Sequence, residues 1–231
     1  MIYLTGDTHG EFKRIVEFCS KMNTTKDDIL IILGDAGLNF YLNFKDELRK
    51  QEVQLLPITV FCIHGNHEER PYNIDTYKTK KWNNGIVYYE ERYPDILFAK
   101  DGEIYNLDGN NCVVIGGAYS VDKHYRLMRG WAWFESEQPN DKIKQYVTSQ
   151  LDKVDWKVDY VFSHTTPLKY EPVEWFLDFI DQSTVDKTTE EWLDSIENKL
   201  NYKKWYCGHY HGSKTIDKIR LMFEDFIDLG K

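Results

Sequence analysis

The sequence predicts an α/β fold, a four-layer αββα sandwich of two mixed sheets flanked by helices. Short apolar runs rich in Ile, Val and Leu alternate with amphipathic stretches along the chain, a pattern typical of βαβ units. The chain has 231 residues, of which 42% are hydrophobic, and this length can bury one sizeable core. We therefore expect a single domain over residues 1–231.

The N-terminal part of the chain predicts three parallel strands, at residues 2–4, 29–33 and 58–63. Between the first two, residues 11–22 place apolar side chains at near-helical spacing, which predicts a crossover helix. Continuous apolar runs such as residues 113–115 are typical of strands buried on both faces. Further strands are predicted at residues 86–89, 96–99, 103–107, 112–115, 160–162, 205–207 and 220–223.

Residues 173–200 carry a series of aromatic and aliphatic side chains, among them Trp175, Phe179 and Trp192, before the last predicted strands. Their spacing predicts a helical insertion. We expect this insertion to cap the functional site and to restrict the size of the substrate. Its acidic side chains are expected on a solvated helical face.

The charge balance argues against some classes of partner. The chain has 29 basic and 38 acidic residues, which gives a formal net charge of -9. A negative net charge of this size disfavours electrostatic binding to long nucleic acid or to an anionic membrane. A phosphate-bearing substrate would therefore need local positive charge.

Other features of the composition predict a cytoplasmic protein. Met1 runs directly into Ile-Tyr-Leu-Thr without a targeting signal, and no apolar run approaches the roughly 20 residues of a membrane span. The four cysteines are widely separated, and three of them lie in strand-like runs. We expect reduced, buried thiols, and neither a disulfide nor a cysteine-bound zinc ion.

Five apolar runs end in short polar motifs that contain histidine, aspartate or asparagine. Because ligands bind outside the carboxyl ends of the strands in an open α/β sheet, we expect these motifs to meet at one edge. Imidazole and carboxylate groups are ligands of divalent metals such as Mn, Fe, Ni, Co or Zn. The motifs are Gly6-Asp7-Thr8-His9-Gly10, Gly34-Asp35, Gly65-Asn66-His67-Glu68, Ser163-His164 and Gly208-His209-Tyr210-His211.

Each motif taken alone has a simpler interpretation. A Gly-Asp or Gly-Asn pair usually forms a turn, and a lone histidine on a strand usually forms a hydrogen bond within a core. We keep this interpretation for His64 and His124, which lie outside the ordered motifs. The other five histidines occur in a joint pattern, and this pattern indicates a site.

The ordered set Asp-x-His, Gly-Asp, Gly-Asn-His-Glu, strand-terminal His and Gly-His-x-His resembles the calcineurin-like metallophosphoesterase superfamily, and its last motif resembles the bacterial-type members. The resemblance extends from Asp7 to His211. It implies that His67, beside the metals and not a ligand, acts as a general acid to the leaving oxygen or stabilises developing charge, and that Glu68 is not a ligand. It also implies two metal sites that share one carboxylate, with Asp7, His9, Asp35 and His211 in one site and Asp35, Asn66, His164 and His209 in the other.

The resemblance implies hydrolysis of a phosphomonoester or a phosphodiester at two divalent metal ions. Manganese is the expected metal, with Fe, Zn, Ni or Co as alternatives. Two ions about 3.5 to 4 Å apart can neutralise the charge of the phosphate and generate a hydroxide nucleophile near neutral pH. A mononuclear enzyme and a metal-binding scaffold module without turnover are the alternatives.

The motifs do not contain a basic residue that would bind the phosphate. Ser/Thr protein phosphatases of the superfamily carry Gly-Asp-x-x-Asp-Arg, whereas Gly34-Asp35 continues here with Ala-Gly-Leu-Asn. Ser/Thr protein phosphatase-like activity is therefore only an alternative. The planar fork of an arginine suits a phosphate, so Arg70 and Arg126 are the candidates, with Arg70 slightly preferred. The substrate and the oligomeric state stay open.

Overall fold

Two mixed β-sheets packed face to face form the centre of the computed structural model, which describes residues 1–230. Helices cover both outer faces, so the predicted αββα sandwich is confirmed. The strands are β1 (Ile2–Thr5), β2 (Ile29–Ile32), β3 (Thr59–Cys62), β4 (Lys78–Trp82), β5 (Gly85–Glu90), β6 (Tyr93–Ala99), β7 (Ile104–Leu107), β8 (Asn110–Ile115), β9 (Tyr160–Ser163), β10 (Lys204–Cys207), β11 (Lys214–Ile216), β12 (Ile219–Leu221) and β13 (Ile227–Asp228). The helices are α1 (Lys13–Met22), α2 (Phe44–Gln54), α3 (Lys123–Arg129), α4 (Asp141–Lys153) and α5 (Thr188–Glu197).

The strand order places the predicted motifs on one side of the sandwich. The first sheet has the order β13-β1-β2-β3-β6-β5-β4, and the second has the order β11-β12-β10-β9-β8-β7. In the first sheet β1 pairs with β2 and β2 with β3 in parallel, and in the second sheet β9 pairs with β10 in parallel. Because parallel strands end at the same edge, each sheet delivers its motifs to a single edge.

Three apolar layers hold the sandwich together. The central layer lies between the sheets and joins Phe61 of the first sheet to Phe162 of the second. The outer layers pack α1 and α2 on the first sheet and α4 and α5 on the second. In β2, Ile31 faces the central layer and Ile32 faces the helices, which explains why this strand is apolar throughout. Burial of each such side chain contributes about 1.5 to 3 kcal/mol.

The helices begin and end at residues whose chemistry suits those positions. Helix α1 buries Ile15 and Cys19, one turn apart, and ends at Asn23 in the left-handed conformation (φ 52). Helix α4 begins after Asn140, whose side chain accepts a hydrogen bond from the backbone N–H of Ile143. All four cysteines are buried and free. Among residues 1–230, no helix combines the length and the apolar character needed to cross a membrane.

Residues 123–126, which include the candidate Arg126, begin α3. This helix leaves Leu127 and Met128 exposed, so it lacks the apolar periodicity from which a helix is predicted. The predicted helical insertion at residues 173–200 is helical only in part. Helix α5 buries Leu193 and Ile196 in the outer layer of the second sheet, whereas residues 173–187 form two short 3-10 turns joined by loops.

Candidate metal centre and active site

All eight side chains that the sequence places at the metals or beside them come together where the two sheets meet. Each follows the carboxyl end of a parallel strand, as the position of the motifs predicts. Asp7 and His9 follow β1, Asp35 follows β2, Asn66 and His67 follow β3, His164 follows β9, and His209 and His211 follow β10.

The two carboxylates at the centre are oriented by backbone N–H groups. Oδ1 of Asp35 accepts a hydrogen bond from the N–H of His67 at 2.8 Å, and Oδ1 of Asp7 accepts one from the N–H of His209 at 2.9 Å. Both side chains are buried. Oδ2 of Asp7 has no hydrogen-bond partner within residues 1–230. A buried carboxylate oxygen without a partner carries a large desolvation cost, so this atom is suited to a cation.

The first half of the centre is built from Asp7, His9 and His211. Oδ2 of Asp7 lies 3.3 Å from Nε2 of His211 and 3.8 Å from Nε2 of His9. The two Nε2 atoms lie 2.9 Å from each other. These three ligand atoms all lie within 4.8 Å of one another. Oxygen and nitrogen donors that converge in this way can hold a borderline divalent metal.

The second half of the centre is built around His164, which is fully buried. Its Nδ1 lies 2.8 Å from the carbonyl oxygen of Leu33, a group that can only accept, so Nδ1 carries the proton. Its Nε2 lies 2.8 Å from Oδ1 of Asn66 and 3.6 Å from Oδ2 of Asp35. Nδ2 of Asn66 bonds with Oγ of Ser120 at 2.9 Å, which directs Oδ1 towards His164.

If the imidazole of His164 is neutral and its proton is on Nδ1, then Nε2 carries a lone pair. This lone pair faces the lone pairs of Asn66 Oδ1. Two acceptors at hydrogen-bond distance repel each other unless a cation lies between them or a further proton is bound. His209 lines the same region, with its ring centroid 4.9 Å from that of His164. The arrangement fits the ligand set of a divalent metal, and the second nitrogen of His164 is held by the carbonyl oxygen of Leu33.

The protonation of the centre also suits metal binding. Burial lowers the pKa of His209 to about 3, which keeps the imidazole neutral. Burial by itself would raise the pKa of Asp7, but the imidazole of His211, 3.3 Å from Oδ2, outweighs it, so the pKa of Asp7 is lowered. The nearby carboxylate of Asp7 in turn raises the pKa of His211.

The backbone at the centre is strained and closely packed. Asp35, His9, His209 and His211 all have φ between 48 and 68, in the left-handed region that such residues rarely adopt. Gly65 approaches the Asp35 carboxylate so closely that a Cβ atom there would lie 2.0 Å from Oδ1. Strain of this kind persists where surrounding contacts impose it, and it is concentrated at functional sites.

Comparison with protein families agrees with this geometry. A family model described as calcineurin-like phosphoesterase matches residues 1–222. The chain belongs to the calcineurin-like phosphoesterase family. The Asp and His clusters of this phosphoesterase are thus those of a family that hydrolyses phosphate esters with divalent metals.

Solved structures show the same fold. This phosphoesterase is 11% identical to the protein TT1561 of Thermus thermophilus, with a TM-score of 0.51, over 96% of this chain and 87% of that one. It is 15% identical to the phosphopantetheinyl hydrolase PptH from Mycobacterium tuberculosis, with the same TM-score and the same shares of the two chains. No curated protein matches the sequence significantly.

A cavity of about 950 Å³ opens in front of the metal-ligand side chains of the phosphoesterase. Arg126 lines this cavity and is buried. It donates from Nε to Asp122 at 2.8 Å and from Nη1 to the carbonyl of Ala132 at 2.9 Å. His67 also lines the cavity, with 23% of its side chain exposed and its Nε2 3.8 Å from Oδ2 of Asp35. Both residues therefore line the space next to the candidate metal ligands.

Arg70 does not lie in this cavity, so the preference for it as the phosphate-binding arginine is corrected. Its side chain is 2% exposed and forms an ion pair with the buried Asp101. Its Nε also donates to the carbonyl of Ser136 at 2.7 Å. Because Asp101 is more than 30 positions away in the chain, no local pattern around Arg70 indicated this pairing.

Several residues of the site were not predicted from the sequence. Ser120, which orients Asn66, lies in the loop after β8 and has no motif of its own. Glu190 lines the cavity from the first turn of α5, and burial raises its pKa to about 7. Glu68 is fully buried next to the centre and accepts a hydrogen bond from the N–H of Gly65 at 3.0 Å. Burial, followed by the charge of Asp35, raises the pKa of Glu68 to about 8.

Proposed function

We propose that this phosphoesterase hydrolyses a phosphomonoester or a phosphodiester with two divalent metal ions, manganese being the expected metal. The proposal is supported by the convergence of candidate metal-ligand atoms at two neighbouring points. Nε2 of His9 and Nε2 of His211 face each other at 2.9 Å, and Nε2 of His164 faces Oδ1 of Asn66 at 2.8 Å.

Asp35 is the residue proposed to join the two metal positions. Its Oδ2 lies 4.0 Å from Nδ1 of His9 on one side and 3.6 Å from Nε2 of His164 on the other. This carboxylate thus lies between the imidazole of His9 and that of His164. In the proposed arrangement one ion is held by Asp7, His9, Asp35 and His211, and the other by Asp35, Asn66, His164 and His209.

Divalent ions held at these positions supply Lewis acidity, which lowers the pKa of water and neutralises charge on the phosphate oxygens. The residues of the chain position the ester and move the proton. His67 is the proposed general acid, because it lines the cavity without belonging to either group of ligands. A proton from its imidazole would neutralise the leaving oxygen as the ester bond breaks. Arg126 is the proposed contact for a phosphate oxygen.

Residues 173–187 are proposed to act as a cap that restricts the substrate. Trp175, Phe176, Ile180 and Val185 line the cavity together with the candidate metal ligands. Trp175 packs so closely on Gly212, the residue after His211, that a Cβ atom at Gly212 would lie 2.6 Å from the indole ring. The cap is thereby held against the loop that carries two proposed ligands.

The proposal is tested by combining a metal count with a turnover assay. Protein saturated with Mn²⁺ should contain two ions per chain and should hydrolyse p-nitrophenyl phosphate or its bis ester. His67→Ala should retain both ions and lower kcat about 10² to 10⁴-fold. His124→Ala, a change at an exposed histidine outside the cavity, is the matched control. Fully metallated protein without turnover, with His67→Ala indistinguishable from it, would refute the proposal.

A further inference from the structure

The cavity in front of the metal centre is much larger than a phosphate group. Its volume of about 950 Å³ lies at the upper end of the range of about 300 to 1,000 Å³ found for small-molecule sites. The phosphate of a bound ester would occupy only the part next to His9, Asp35 and His67. The rest of the cavity is available to the organic group, so the side chains around it decide which organic group fits.

One part of the cavity wall is apolar and aromatic. Its side chains come mainly from the cap, and they are Val121, Trp175, Phe176, Leu177, Ile180 and Val185. The ring of Phe176 lies nearly parallel to that of Tyr210, with the centroids 6.4 Å apart and an angle of 17° between the planes. Such a wall favours a compact apolar or aromatic body over a chain of polar groups.

The charges of this wall are mostly paired within the protein. Arg126 is bonded to Asp122 at 2.8 Å. Glu171 is paired with Lys187 at 2.7 Å, and the same ammonium lies 4.9 Å from the centroid of the Phe176 ring. These pairs contribute no net charge to the wall. The aromatic face of Phe176 nevertheless shows that this environment accepts a cation.

Two acidic side chains of the wall form no ion pair within residues 1–230. Asp186 accepts hydrogen bonds from Nε2 of Gln138 at 3.1 Å and from the N–H of Thr188 at 3.0 Å. Glu190 is 4% exposed, and its Oε2 has no hydrogen-bond partner within these residues. When Glu190 is ionised, the wall carries a negative excess, which disfavours a second phosphate or a carboxylate on the organic group.

Glu190 lies close to the metal centre as well as to the aromatic wall. It hydrogen-bonds the side chain of Thr165, the residue after His164. Oγ1 of Thr165 lies 3.1 Å from the hydroxyl oxygen of Tyr210. Because an unsatisfied buried carboxylate oxygen costs free energy, a donor that reaches Oε2 would be bound strongly. A positively charged donor would satisfy both the hydrogen bond and the charge.

We propose that the substrate is a phosphate ester whose organic group has a compact apolar body and a protonated amine, with Glu190 as the residue that selects the amine. The inference rests on the proposed phosphoesterase function and deepens it. In this arrangement the apolar body lies against Phe176 and Tyr210, the phosphate lies at the metal centre, and the ammonium group donates to Oε2 of Glu190. Glu190 acts in specificity and has no part in breaking the ester bond.

Three aryl phosphates of similar size test the proposal. The first, phosphotyramine, carries an ammonium group at the end of its side chain. The second, 4-propylphenyl phosphate, is uncharged at that position. The third, 3-(4-phosphonooxyphenyl)propanoate, carries a carboxylate there. All three release a phenol, so differences in kcat/KM report on recognition of the distant group. With the Mn²⁺-loaded protein, kcat/KM should fall in that order, with about a 10 to 100-fold advantage of the ammonium over the neutral ester.

Glu190→Gln should remove this advantage by lowering kcat/KM for phosphotyramine to about the value for the neutral ester. Glu191→Gln, a change at an exposed neighbour on the same helix turn, should leave all three values unchanged. Equal rates for the three esters, or an equal loss for all three in Glu190→Gln, would overturn the proposal. If p-nitrophenyl phosphate is hydrolysed and phosphotyramine is not, the inference fails while the phosphoesterase function stands. If neither is hydrolysed, both fail.

Discussion

Nε2 of His164 and Oδ1 of Asn66 face each other at 2.8 Å across the junction of the two sheets. The protein itself imposes this contact, since Nδ1 of His164 bonds to the carbonyl of Leu33 and Nδ2 of Asn66 bonds to Ser120. Both facing atoms are acceptors when the imidazole is neutral. A cation bound to both atoms would replace their mutual repulsion with attraction.

Divalent metal should stabilise the folded protein. A cation that binds only the folded state at 100 times its Kd adds about 2.7 kcal/mol. For a chain of 231 residues this corresponds to a rise in Tm of about 5 to 10 °C. Thermal unfolding in EDTA and in Mn²⁺ measures the difference. An unchanged Tm would mean that the facing acceptors do not hold a cation.

Asp35→Asn should reduce the metal content before it affects the fold. The amide can still accept the N–H of His67 through its oxygen, but it lacks the charge that both metal positions would share. We expect at most one ion per chain, with the circular dichroism spectrum unchanged. Asp27→Asn, a change at an exposed aspartate, is the control. Two ions per chain in Asp35→Asn would contradict the bridging role.

The two arginines should respond differently to substitution. Arg70→Ala leaves the buried Asp101 without its ion-pair partner, so the free energy of unfolding should fall by about 3 to 5 kcal/mol. KM of the remaining folded protein should stay near that of wild type. Arg126→Ala should instead raise KM for p-nitrophenyl phosphate, because Arg126 lines the cavity. A raised KM in Arg70→Ala without loss of stability would reverse this assignment.

Glu190 should make the stability of the metal-free protein depend on pH. Burial raises its pKa from 4.5 to about 7, so the folded protein keeps a proton that the unfolded chain loses as pH rises above about 4.5. The folded state is therefore penalised progressively between pH 4.5 and 7, by up to about 3 kcal/mol. The free energy of unfolding of Glu190→Gln should exceed that of wild type at pH 8 and should equal it at pH 4.

Urea unfolding of both proteins in EDTA, at several pH values, measures this difference. Glu191→Gln, which alters an exposed carboxyl on the same helix, should follow the wild-type pH dependence. A constant difference between Glu190→Gln and wild type over the whole pH range would mean that Glu190 is not held in its protonated form by burial.

Much of the fold could be predicted because its strands are buried on both faces. The runs that became β2 and β3 are apolar at almost every position, and their ends coincide with Gly and Asp or Asn residues that turn the chain. The same runs locate the candidate ligands, since parallel strands end at one edge. Strand-end motifs are local in sequence, so Asp7, Asp35 and His164 could be found without knowledge of distant contacts.

Features that depend on distant contacts could not be predicted. Arg70 looked like a free arginine beside a motif, but its partner Asp101 comes from another part of the chain. Helix α3 exposes its apolar residues and so lacks helical periodicity. The aromatic residues near Trp175 resemble those of a helix, yet Trp175 lies in a short 3-10 turn after Pro172 and packs against Gly212. Glu190 becomes recognisable only when its burial is known.

Anomalous diffraction from crystals grown with Mn²⁺ would show whether the centre binds two metal ions. Two anomalous peaks are expected on either side of the Asp35 carboxylate, one beside His9 and His211 and the other beside Asn66 and His164. A single peak would indicate a mononuclear site. No peak among these residues would contradict the proposal that the centre holds metal.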